Sequence, residues 1–62
     1  MNINKNMTIG EVLKISKNAE KVLMSIGMHC VFCPSSQMET IEQAAMVHSV
    51  DVDYLINLLE NE

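Results

Sequence analysis

Wherever apolar residues recur in this chain they recur every three or four positions, and each run is cut short within a dozen residues by a capping residue, a glycine or a proline. No stretch alternates apolar and polar side chains with a period of two, and the one β-branched cluster, around Val50 and Val52, is interrupted by Asp51. That punctuation allows only short helices. An all-α fold of about four short helices follows, in one domain spanning residues 1–62. No internal repeat, low-complexity tract or linker is visible.

The helices can be placed from their ends. Thr8-Ile9-Gly10-Glu11 is a capping box, in which the threonine hydroxyl accepts from an early amide and the glutamate reaches back. Ile9, Val12, Leu13 and Ile15 then form an apolar stripe. Asn18 is expected to cap a second helix carrying Ala19, Val22, Leu23 and Ile26, and Gly27 to end it. Ser36-Gln37-Met38-Glu39 has the form of another capping box, opening a helix with Met38, Ile41, Ala44, Ala45 and Val47 or His48 turned inward. Ser49-Val50 makes a turn. Asp51 caps the last helix, with Val52, Leu55, Ile56, Leu58 and Leu59 apolar and Asp53, Asn57 and Glu60 polar. Met7, Met24, Met28, Met38 and Met46 are expected to be flexible core filler.

Size and charge exclude several functions. Sixty-two residues bury only ~60% of the unfolded surface, so the stability margin is thin and self-association, as a homodimer, is a natural remedy. Four short helices leave little room for a substrate pocket, and no cofactor is expected. There is no signal core and no apolar run long enough to cross a bilayer, so the expected compartment is the cytoplasm and no membrane partner is expected. The net charge is −4 with no arginine, which argues against a nucleic-acid partner. All four lysines precede residue 22 and six of the eight acids follow residue 38, an asymmetry suited to contact with a second copy.

The chemistry is concentrated in Gly27-Met28-His29-Cys30-Val31-Phe32-Cys33-Pro34-Ser35-Ser36, a loop between the second and third predicted helices. In a reducing compartment a close cysteine pair points to catalysis or metal binding, and a bridge closing so small a ring would stabilise the fold little. Pro34 disfavours helix at Cys33, so a helix is predicted to begin at or just after the proline with Cys33 near its N-terminal end. Free amides there favour a thiolate at Cys33, while a protonated His29 would favour one at Cys30, so the order of attack stays open. Val31 and Phe32 can cover one side of the pair or form a contact patch. His48 is expected to sit as a cation near the last carbonyls of its helix.

Met7-Thr8-Ile9-Gly10-Glu11-Val12-Leu13, Ile26-Gly27-Met28-His29-Cys30, Cys33-Pro34, Glu39-Thr40-Ile41-Glu42-Gln43-Ala44-Ala45 and Val50-Asp51-Val52-Asp53 together resemble the small redox-disulfide domains associated with hybrid cluster proteins. The resemblance covers nearly the whole chain. It implies an all-helical fold, a redox-active Cys30–Cys33 pair, and a protein partner among iron–sulfur or nitrogen-oxide-handling proteins.

Three other readings compete: metal binding in either of two forms, DNA binding, and partner binding alone. Gly27 to Cys33 resembles the copper-binding loop of heavy-metal-associated domains, but that loop follows a β-strand and none is predicted here. A zinc ion shared by Cys30 and Cys33 of two chains would complete a four-ligand set that one chain lacks. Thr40 to Val52 has a helix-turn-helix rhythm, yet the segment Asp53 to Glu60 that would enter the groove carries no base. Finally, the domain could bind a partner through Phe32 without chemistry of its own.

Overall fold

The computed structural model describes residues 2–28 and 31–61; the residues singled out at positions 29 and 30 lie outside them. The fold is all-α as expected, with five helices among the described residues: α1 (Ile9–Ile15), α2 (Ala19–Ser25), α3 (Pro34–Gln37), α4 (Ile41–Val47) and α5 (Val52–Glu60). The fifth arises because the third predicted helix is really two. The expected capping box at Ser36 does not form. Ser36 lies inside α3, and its carbonyl accepts from the Glu39 amide at 3.2 Å. The box sits instead at Thr40, whose hydroxyl accepts from the Gln43 amide at 3.1 Å while Gln43 Oε1 accepts from the Thr40 amide at 2.9 Å.

Tertiary pairing explains why Thr40 wins. Thr8 caps α1 with the same reciprocal box, at 3.2 and 2.9 Å. The two caps then lie antiparallel as an isolated β-bridge. Ile9 N–H donates to the Glu39 carbonyl at 2.8 Å, and Ile41 N–H donates to the Met7 carbonyl at 2.9 Å. Each Thr-Ile step thus starts a helix, drives an isoleucine into the core and pairs with its counterpart. The chain shows no sequence repeat, but its two halves open in the same way.

The core joins α1, α2, α4 and α5 through Ile9, Val12, Leu23, Ile41, Leu55 and Leu59, all fully buried. Helix α5 packs on both α4 and α2, and α1 on both α2 and α3. The end of α5 is held by side chains from the other half of the chain. The buried Ser16 donates its hydroxyl to the Leu59 carbonyl at 2.9 Å. Asn18 does not cap α2 with its side chain; its amide donates instead to the Asn61 carbonyl at 2.7 Å and the Leu58 carbonyl at 3.3 Å. The carbonyls that a helix terminus leaves unpaired are therefore satisfied across the fold.

Several residues expected inside are outside. Ile15, Met24, Met38, Met46 and Val47 are exposed, and of the described methionines only Met28 is buried, with Met7 half-buried against the core. Helices of seven residues have about two turns, so each can bury only a narrow stripe.

Candidate functional site

The dithiol segment is launched by the end of α2. Gly27 adopts φ 112, its N–H donates to the Met24 carbonyl at 3.1 Å, and Met28 N–H donates to the Leu23 carbonyl at 3.2 Å. These are the two hydrogen bonds of a Schellman motif, and they turn Met28 back into the core beside Leu23. The predicted role of Gly27 is met. An added Cβ there would lie 3.3 Å from His48 Nδ1, so the imidazole of the α4 C-cap residue flanks the start of the loop. His48 stands at the end of its helix as expected, half-buried.

The far side of the loop is equally well anchored. Val31 is buried, whereas Phe32 is 62% exposed, so two adjacent apolar residues divide between core and surface. Cys33 follows, half-buried and extended at φ −69, ψ 136; it is the N-cap of α3, with Pro34 at the first helical position. This is the placement expected from the proline. Cys33 is not a free thiol. Its carbonyl accepts from the Gln37 amide at 3.0 Å, and Gln37 Nε2 donates to the Val31 carbonyl at 3.4 Å. Helix α3 in turn lies close to α1, because Gly10 presents no side chain: a Cβ there would sit 3.3 Å from the Gln37 carbonyl oxygen and 3.4 Å from its Cβ.

The structure thus places Cys33 half-buried at a helix start, directly after the buried Val31 and the exposed Phe32. Cys30 and His29 lie outside the described residues. Among the described residues no three or more His, Cys, Asp or Glu side chains gather as a metal site requires. An open depression of about 260 Å³, lined by Glu39, Gln43, Met46 and Val47, lies along α4 and includes no described residue of the dithiol segment. Sequence reasoning missed Gln37 and Gly10. The Ser36 to Glu39 pattern predicts Gln37 at the start of a helix, whereas it ends α3, and no local pattern announces that its amide reaches back six residues.

The sequence pattern of the family described as "Domain of unknown function (DUF1858)" matches residues 3–56. The chain belongs to the DUF1858 family. A DUF1858 domain is in keeping with the small helical frame built here, since the pattern spans the described helices from before α1 into α5. The chain is also similar to a Clostridium thermocellum protein whose solution structure was determined by NMR in a structural-genomics programme. That likeness has 42% sequence identity and a TM-score of 0.75, and it covers 95% of this chain and 84% of the other. No curated protein matches.

Proposed function

We propose that this domain is a thiol–disulfide redox module in which Cys30 and Cys33 exchange two electrons with a protein partner. The observation that supports the reading best is the setting of Cys33, half-buried at the proline-opened start of α3. The first amides of a helix have no intrahelical acceptor, and they favour the thiolate that attacks in disulfide exchange. A thiolate of the pair attacks a partner disulfide, forming a mixed disulfide and releasing one partner sulfur as a thiolate. The second cysteine, deprotonated in turn, attacks its neighbour's sulfur in the mixed bond. This closes Cys30–Cys33 and releases the second partner sulfur. Two electrons pass to the partner, and the two protons lost by the cysteines end on its thiols. The reverse sequence reduces the pair.

A protein partner is favoured over a small one because Phe32, beside Cys33, offers an exposed apolar contact. The resemblance to domains associated with hybrid cluster proteins points to iron–sulfur or nitrogen-oxide-handling proteins as partners; among the described residues no helix is long and apolar enough to cross a membrane, which is compatible with work in the cytoplasm.

The test is a native mass spectrum of freshly reduced protein with a thiol count across graded glutathione ratios. Reversible loss of two hydrogens from a metal-free chain is the expected result, abolished in the Cys30→Ser, Cys33→Ser double variant. Zinc or copper retained with protected thiols would replace this reading with metal binding. Partner binding that survives the double variant and is lost in Phe32→Ala would replace it with a binding module lacking chemistry.

A further inference from the structure

We infer that Gln37 is a positioning residue for the dithiol, holding the segment between the cysteines so that the disulfide is favoured; this rests on the redox reading above. One residue at the far end of α3 grips two residues of the Cys-x-x-Cys stretch. Its backbone N–H donates to the Cys33 carbonyl at 3.0 Å, and its side-chain amide donates to the Val31 carbonyl at 3.4 Å. Val31 is additionally fixed by its side chain, which is buried in the core. Gln37 is itself braced from behind. With no side chain at position 10, α1 comes close enough that the Gln37 carbonyl oxygen lies 3.3 Å from where a Gly10 Cβ would stand. Gly10, Gln37 and Val31 therefore form a continuous line of support from α1 to the centre of the loop.

The consequence for the redox equilibrium has a definite sign. Closing the Cys30–Cys33 ring removes conformational freedom from the loop, whereas freedom already removed by the Gln37 clamp is not lost a second time. Without the clamp the open dithiol gains more conformations than the closed disulfide. The equilibrium then shifts toward the dithiol and the reduction potential becomes less negative. At the usual net strength of a single hydrogen bond, the shift is about threefold to tenfold in the equilibrium constant.

The measurement is the equilibrium of the domain with glutathione, in which the dithiol and one oxidised glutathione give the disulfide and two reduced glutathiones. Gln37→Leu keeps the bulk and removes the donor; its equilibrium constant is expected to fall about threefold to tenfold from that of the unsubstituted domain. Gln43→Leu is the control, since it removes one hydrogen bond of the Thr40 capping box at the start of α4 and leaves the loop untouched. Its melting temperature is expected to fall while its glutathione equilibrium stays within about twofold, below the shift expected of Gln37→Leu. Should Gln37→Leu not fold, Gln37→Glu replaces the donor by an acceptor facing the Val31 carbonyl and is expected to shift the equilibrium in the same direction. An unchanged equilibrium in the folded Gln37 variant, or an equal shift in Gln43→Leu, overturns the assignment. Absence of any reversible transition in the unsubstituted domain overturns the redox reading itself and this inference with it.

Discussion

Among the described residues, Gly27 at φ 112 and Ser49 at φ 57 are the two in the left-handed region, and both end a helix in the same way. After α4, Ser49 N–H donates to the Met46 carbonyl at 3.2 Å and Val50 N–H to the Ala45 carbonyl at 2.8 Å, repeating the pattern of Gly27 and Met28 after α2. The difference is the side chain. Glycine occupies this region without penalty, whereas serine carries a Cβ that crowds the backbone. Ser49 is exposed, so Ser49→Gly is expected to raise stability by up to about 1 kcal/mol. Gly27→Ala meets both an unfavourable φ and the His48 ring at 3.3 Å, and is expected to cost about 1–3 kcal/mol. Urea titration of the two variants checks both signs. Equal effects in the same direction would remove the conformational argument.

At the scale of elements, the paired caps are the organising contact. Thr8 and Thr40 each fix an extended residue at a helix start, and the two extended residues bridge each other. Thr8→Ala and Thr40→Ala are each expected to cost about 1 kcal/mol through the lost cap. Because each cap holds the strand-like backbone on which the other pairs, their combined effect should depart from the sum by about 0.5 kcal/mol or more. A double-mutant cycle in chemical denaturation measures this directly, and strict additivity would show that the bridge forms independently of the caps. The same pairing explains why α3 and α4 are separate. The chain must leave the helical path after Met38 and become extended at Thr40 for Ile41 to reach the Met7 carbonyl.

On the scale of the whole molecule, stability rests on few side chains. A domain of 62 residues has roughly 3–9 kcal/mol to lose at ordinary values per residue. Leu55 is fully buried on α5, the helix that packs on both α4 and α2, so Leu55→Ala is expected to cost about 2–5 kcal/mol and to bring the domain close to unfolding at room temperature. The neighbouring Tyr54 is 57% exposed, and Tyr54→Ala is expected to change stability by about 0.5 kcal/mol at most. Circular dichroism with urea separates the two; a mild effect of Leu55→Ala would mean that the core tolerates or refills the cavity.

Local signals in the sequence were enough for the fold class, the caps at Thr8 and Asp51, the glycine stop at Gly27 and the helix start at Pro34, because each depends on hydrogen bonds or dihedral limits within a few residues. The position of Cys33 at the start of a short helix was legible for the same reason. What tertiary structure alone decided spans long separations. It chose Thr40 over Ser36 because Thr40 could pair with Thr8, and it turned Ser16 and Asn18 toward the last carbonyls of α5, more than forty residues away. It also brought α1 against α3 through Gly10 and so set Gln37 against the Val31 carbonyl. Residues close in sequence bond according to their own geometry, whereas a side chain's distant partner is chosen only when packing has fixed which surfaces meet.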